Sequence, residues 1–171
     1  LGIGVLLVNP ENQELLTGMI NMIAAATNTE GKAADLLGFT AAQEAYLSDI
    51  LEGRDTPSVY LAGNSSLLST AGNAMYQANM IRLAGGINVA NEIGDTYWAE
   101  IDYEQLLAWD PEYIILAAEA TYTVEDVLND PNLADCKAVV SGNVYRLPNQ
   151  AEAWDSPVSG SILGALWLSN I

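Results

Sequence analysis

The chain has 171 residues, 22 of them acidic, five basic and none histidine, for a formal net charge of −17. Half of the residues are hydrophobic, which at this length supports a core that buries roughly 70% of the unfolded surface. The charge excludes nucleic-acid binding, which needs cations to displace counterions, and disfavours an anionic membrane surface. The missing histidine removes Ser-His-Asp and Cys-His catalysis and the commonest transition-metal ligand.

No apolar run reaches the roughly 18 residues that a bilayer span requires. Cys136 is the single cysteine, so there is no internal disulfide and no Cys-x-x-Cys site; its setting favours a buried, inert thiol. Ile3 to Val8 is a continuous apolar run ending at Asn9-Pro10 and reads as a buried strand. Glu11 to Ala26 has helical apolar spacing, with Asn9 as a candidate cap. Thr29 to Leu51 is a longer helical pattern that Gly38 and Thr40 weaken. Thr29 with Lys32 does not make a capping box.

Gly53 to Pro57 is a hydrophilic junction before a strand at Val59 to Ala62. Ser69 to Gly72 reads as a turn. Asn73 to Leu83 reads as a helix, with Gly85-Gly86 as its C-terminal stop. Next comes Tyr97 to Ala117. Asp102 is placed to cap a helix, with Gln105 completing a capping-box pattern. Leu106, Leu107 and the Trp109 stem are expected to face inward. Pro111 stops the helix, and Tyr113 to Ala117 is a strand covered on both faces. Thr123 with Asp126 opens a further helix, which Asn129-Asp130-Pro131 breaks. Asn143 to Leu147 is a strand ended by Pro148, and Ser156-Pro157 opens the last helix. Its expected buried face is Leu163, Leu166, Trp167 and Ile171.

Strands thus alternate with helices, which predicts an α/β fold: a three-layer, Rossmann-like lobe with a mainly parallel sheet flanked by helices, after a long linker helix. Ligands of open α/β sheets sit beyond the carboxyl ends of the strands. Three polar loops qualify: Asn64–Ser66, Glu119–Thr123 and Gln150–Asp155. Two readings stand for Trp98: cover for a helix end, or an aromatic plate for a flat or greasy ligand. Tyr97 is a weaker version of the second. Glu104, in a first helical turn, is already explained by the helix dipole. No phosphate-binding loop or Asp-x-Asp-x-Asp-Gly calcium order occurs, and the acidic residues around Glu92 to Asp102 read as a solvated rim.

Several motifs follow one another in order. They are Ala84-Gly-Gly-x-Asn88-Val-Ala, Trp98-x-x-Ile101-x-x-Glu104, Asp110-Pro-Glu112 before a strand, Ala138-Val-x-x-Gly142-x-Val-Tyr-x-Leu-Pro148, and Trp154-Asp-Ser-Pro157 leading into Leu163-Gly-x-Leu-Trp-Leu168. Together they resemble the second lobe of the substrate-binding proteins of ABC importers for iron-siderophore, haem and cobalamin complexes. The resemblance runs from about Gly31 onward. It implies residues 1–28 as a strand-plus-helix remnant of a first lobe, 29–53 as a spine helix and 54–171 as the ligand-binding lobe. It implies Trp98, Tyr97, Trp154 and Asp155 as ligand-binding candidates, with Asp155 equally readable as a helix cap; the strand-end loops add Asn64 and Tyr122 to the candidates by position alone. It implies Glu104 as the carboxylate that meets permease arginines. No catalytic residue, metal ligand or cofactor is expected; iron would arrive inside its chelator. The implied place is extracytoplasmic, either periplasmic or lipid-anchored at the outer face of the cytoplasmic membrane, with a leader and most of a first lobe expected upstream. The implied partners are a metal chelate and an ABC permease, with self-association of a truncated chain through an exposed apolar edge. The alternative reading is a flavodoxin-like or nucleotide-binding α/β enzyme domain, which the missing phosphate loop and general base oppose.

Overall fold

The computed structural model describes residues 4–171. Two helices come first. Helix α1, Gln13–Thr27, is capped by Asn12, whose side chain accepts from the Leu15 N–H at 2.9 Å. The cap is therefore Asn12 and not Asn9. Asn28 ends α1 in the left-handed region. Helix α2, Glu30–Leu51, follows at once and is unbroken. Gly38 does not interrupt it, and the Thr40 hydroxyl bonds back to the Leu36 carbonyl. Helical spacing over this length outweighs the local propensity cost of one glycine.

The strand expected over Ile3 to Val8 is not formed within the described residues. Residues 4–10 are irregular, Val5 is 85% exposed and Leu7 is 91% exposed. Ile3 itself lies outside the described residues. A strand needs a neighbour for its N–H and C=O groups, and no described strand lies beside this run.

The sheet begins with β1, Ser58–Ala62, and continues with β2, Ser69–Ala71, β3, Ile87–Asn88, β4, Trp98–Glu100, β5, Tyr113–Leu116, and β6, Val144–Arg146. Its order is β4-β2-β1-β5-β6, with β3 paired to the start of β1. β1, β5 and β6 are parallel, with Tyr60 beside Ile114 and Ile115 beside Tyr145. β2 runs antiparallel to both β1 and β4. The sheet is mainly parallel, as expected. β2 replaces the expected turn at residues 69–72, and β4 turns the segment holding Trp98 into an edge strand.

Alternate side chains divide the core into two layers, as strand periodicity requires. Val59, Leu61 and Ile115 face a cluster with Leu47 of α2, with Tyr76, Met80 and Ile81 of α3, Tyr76–Leu83, and with Ile162 and Ala165 of α7, Ile162–Leu168. Tyr60, Ala62, Ile114 and Leu116 face the other way. They meet Leu106 of α4, Tyr103–Trp109, Val127 of α5, Val124–Leu128, and Ala138 of α6, Lys137–Val140, with Leu133 and Cys136 between α5 and α6. Cys136 is fully buried, and burial pushes its thiol up.

Several local signals act as read. Asp102 caps α4 through the Gln105 N–H at 2.8 Å. Thr123 and Asp126 form a complete capping box on α5. Gly85, at φ +88°, ends α3, with the Gly86 N–H reaching the Ile81 carbonyl at 3.0 Å. Two readings fail. Leu107 is exposed, since Leu106 alone on that turn meets the sheet. The last helix starts at Ile162 and not at Ser156-Pro157. Residues 154–161 form turns instead, and the buried face of α7 is Ile162, Gly164 and Ala165, with Leu163 and Ile171 exposed. The small residues win because the backbone comes close there. A Cβ on Gly164 would meet the Trp154 carbonyl at 2.5 Å and Met80 Sδ at 2.6 Å.

Candidate ligand-binding cleft

The carboxyl ends of β1, β5 and β6 point one way, and their loops form one surface. Hydrogen bonds brace those loops to one another. The Thr121 N–H donates to the Asn64 carbonyl at 2.8 Å, and the Thr121 hydroxyl donates to the same oxygen at 3.2 Å. The Tyr122 hydroxyl donates to the Gly63 carbonyl at 2.7 Å. Burial pushes the Tyr122 phenol up, against the pull of the nearby Arg146 charge. Arg146, the last residue of β6, donates from Nη2 to the Ala120 carbonyl at 3.0 Å and to the Tyr122 carbonyl. The loops at the ends of these three strands are thereby tied to one another.

Trp98 joins this surface from β4. Its indole is 42% exposed, and its ring edge lies against the backbone at Gly63. Tyr97, 47% exposed, precedes it. Asn64 is exposed at the tip of the β1 loop, and Tyr122 is half-buried, with its hydroxyl engaged by Gly63. The structure therefore brings Trp98, Asn64 and Tyr122 together around Gly63.

Trp154 and Asp155 lie on the loop after β6. Trp154 is half-buried, and its N–H donates to the Pro148 carbonyl at 3.2 Å. Asp155 is only 5% exposed. It does not cap α7, which starts seven residues later at Ile162. Its backbone carbonyl accepts from Gln77 Nε2 of α3 at 2.9 Å, while Gln77 Oε1 is buried and unpartnered among the described residues. Burial pushes the Asp155 carboxyl up. Its own N–H and that of Ala118 oppose the shift, and the Glu119 charge adds to it.

Glu104 stands apart, exposed on the first turn of α4. It borders an open groove with Ile93, Glu100, Gln105 and Ala108. Its helix is anchored at both ends: Tyr103 Oη donates to Asp130 at 2.7 Å, and Trp109 Nε1 donates to Glu92 at 2.8 Å. Trp109 and Trp167 are half-buried and pack against the two core layers. No group of three or more His, Cys, Asp or Glu side chains among the described residues can hold a metal ion.

A mainly apolar, partly open pocket of about 190 Å³ lies at the amino ends of the strands, lined by Leu51, Val59, Ile81, Ile115 and Leu168, with Arg54 and Asp55 also on its wall. None of the predicted site residues lines it. It is a gap in the joint between the ends of α2, α3 and α7, at the opposite end of the sheet from the braced loops.

The family model for periplasmic binding proteins matches residues 1–151. The chain belongs to this family. The family is extracytoplasmic, and its members bind solutes without catalysing a reaction, which displaces the flavodoxin-like enzyme alternative. Within it, the chain is 30% identical over 103 residues to the molybdate-binding protein MolA of Haemophilus influenzae, covering 60% of this chain and 29% of MolA. Solved structures share its fold, among them the two that follow. Helicobacter pylori CeuE in a nickel-histidine complex superposes with a TM-score of 0.84 at 21% identity, over 98% of this chain and 53% of that one. The haem-binding protein RhuT of Roseiflexus sp. RS-1 superposes with a TM-score of 0.72 at 21% identity, over 90% and 62%. The chain therefore spans less than two thirds of the length of these periplasmic binding proteins.

Two residues of the braced surface escape a reading of the sequence. Gly63 shows there only as the start of a polar loop; a glycine at a strand's end followed by polar residues is its one signal. Arg146 shows only as one of five cations. Its signal is position: a lone cation on the last residue of an apolar strand.

Proposed function

We propose that this chain is the C-terminal lobe and spine helix of the solute-binding component of an ABC importer. In this reading it captures an iron-siderophore or related metal chelate, such as haem or cobalamin, in a cleft between two lobes and delivers it to the permease. The observation that carries the reading is the exposed Trp98 indole beside the braced strand ends. A large, rigid aromatic face at a water-exposed edge suits a broad chelate better than a small ion. The relatives' named ligands, molybdate, nickel-histidine and haem, are consistent with solute capture and leave the class to be tested.

In the same reading, residues 1–28 are the end of a first lobe, 29–53 the spine and 54–171 the ligand lobe. Glu104 is the permease contact, since charge-assisted arginine–carboxylate bonds give specificity yet release. The exposed Val5 to Val8 run would pair with the first lobe or, without it, with a second copy of the chain.

The test is tryptophan quenching on titration with ferric siderophores, haemin, cobalamin and molybdate, against FMN and ATP. Saturable quenching by a chelate is expected, and weak binding is consistent with a single lobe, because half the contacts are absent. Quenching by molybdate or a nucleotide, with none by any chelate, would overturn the reading.

A further inference from the structure

The pocket at the amino ends of β1 and β5 lies apart from the carboxyl-end loops. Its floor is Val59, Ile81 and Ile115, all buried, and Leu51 and Leu168 stand at its sides. Gly86 lies close over that floor: a Cβ there would meet Val59 Cγ2 at 2.8 Å and Ile81 Cγ2 at 3.1 Å. The space is about 190 Å³. A cavity of about 150 Å³ accommodates a benzene ring, and sites for drug-sized ligands begin at about 300 Å³. The pocket therefore suits one benzyl-sized or isobutyl-sized group and is too small for a chelate.

Its polar wall follows the end of α2. Arg54 and Asp55 stand on that wall, in a segment pinned at both ends. The Arg54 N–H donates to the Leu51 carbonyl at 3.1 Å, and the Ile87 N–H donates to the Pro57 carbonyl at 2.9 Å. One cation and one anion thus sit on consecutive residues, both exposed. They are not paired with each other or with any other side chain, since Lys137 with Asp110 is the sole ion pair among the described residues. A small-molecule site is a concave apolar surface with a few polar groups that fix orientation. An apolar floor beside two unpaired opposite charges is complementary to a zwitterion with a greasy side chain.

We propose that this pocket is a ligand site separate from the carboxyl-end loops, and that it takes a free apolar α-amino acid. The side chain rests on Val59, Ile81 and Ile115, the carboxylate meets Arg54 and the ammonium meets Asp55. Because both charges are exposed, each contributes little, and burial of the side chain supplies most of the affinity. An occupant bridges the last turn of α2 to the sheet and stabilises that joint by mass action.

The test titrates the 171-residue protein with L-phenylalanine, phenylacetate and phenethylamine, read by amide proton–nitrogen correlation spectra. Physiological ionic strength screens the field of the −17 chain beyond about 8 Å. L-Phenylalanine should shift the amides of Leu51, Val59, Gly85 and Ile115 saturably and leave those of Asn64 and Thr121 in place. Phenylacetate and phenethylamine should each bind about two- to fivefold more weakly. Arg54→Gln should remove the advantage over phenethylamine, and Asp55→Asn the advantage over phenylacetate. Ala84→Leu, on the pocket wall, should abolish binding of all three. Equal affinity of wild type for the three ligands would reduce the pocket to a greasy gap and overturn the assignment. So would the absence of saturable shifts, shifts confined to the carboxyl-end loops, or loss of binding in the longest natural form of the protein.

Discussion

Trp98 and Gly63 occupy each other's space. A Cβ added at Gly63 would lie 3.2 Å from Trp98 Cζ3 and 3.1 Å from Ser69 Cβ. Such contacts are tighter than ordinary packing, so the indole rests where it does because residue 63 has no side chain. Gly63→Val is therefore expected to lift the ring from the strand ends. Overpacking of this kind costs about 1–3 kcal/mol. The measurements are chemical denaturation, together with a change in near-ultraviolet circular dichroism that Gly63→Val no longer causes when Trp98 is already alanine. Trp98→Ala itself removes a half-exposed side chain, so it should change stability by less than about 1 kcal/mol while weakening chelate binding about tenfold or more, in line with an aromatic anchor. Unchanged affinity in Trp98→Ala would leave the indole as mere cover for the edge strand.

Tyr122 tests the brace. Its hydroxyl is the link from the β5 loop to the Gly63 carbonyl. Tyr122→Phe removes one hydrogen bond and leaves that carbonyl without its partner, a loss of about 0.5–1.5 kcal/mol. The midpoint of denaturant unfolding should fall with an unchanged slope. Amide exchange should quicken at Thr121, whose N–H bonds to the Asn64 carbonyl on the adjoining loop. Faster exchange confined to other regions would show that the hydroxyl does not tie these loops together.

The sequence disclosed the strongly periodic parts. β1, β5 and β6 were legible because their apolar runs are bounded by turn residues, and α5 because both halves of its capping box are present. β2 and β4 were not. Each is three residues long, too short to show a period, and Ser69-Thr70-Ala71 has the composition of a turn. They exist because β1 offers an edge, and such pairing is set by tertiary contact. The same cause moved the start of α7. Ser156-Pro157 is a sound helix opening by local rules, but the close approach of the Trp154 carbonyl to Gly164 holds residues 154–161 in turns. Of the site, the loops were legible from the rule about strand ends. Arg146 and Gln77 were not, because their meaning lies in partners 24 and 78 residues away.

Asp155 predicts a pH dependence of definite sign. Its folded carboxyl is pushed up by burial, so the native state holds the proton more tightly than the unfolded chain. Below the unfolded value, about 3.9, both states are protonated and the burial penalty is absent. As pH rises through the raised native value, stability is lost, and above it the loss is complete. Asp155→Asn should remove the effect, so the mutant should gain on wild type as pH rises from about 3 toward about 7. A gain of about 1 kcal/mol corresponds to about 2–4 °C for a chain of this size. Thermal unfolding of both proteins across that range is the check. The difference between them is the quantity to read, because Asp110, Asp126 and Asp130 are shifted down and slope the opposite way in both. Parallel curves would show that Asp155 is ionised in the folded state without penalty.

Glu104 tests the proposed docking role separately from ligand binding. It lies on the anchored helix α4, exposed and away from the braced loops. Reversing its charge should therefore leave chelate affinity within about twofold, as expected of a contact outside the ligand surface. Stability should fall by no more than about 0.3–1 kcal/mol, the worth of a carboxylate near a helix N-terminus. Uptake should suffer most, because a permease arginine would meet a repelling ammonium where it had met a carboxylate partner. Glu104→Lys would be compared with wild type in the longest natural form of the protein, scoring chelate uptake in cells and chelate affinity in solution. Glu104→Gln should fall between the two. Equal loss of affinity and uptake would move Glu104 into the ligand site, and full uptake by Glu104→Lys would leave the helix dipole as the whole reason for a glutamate there.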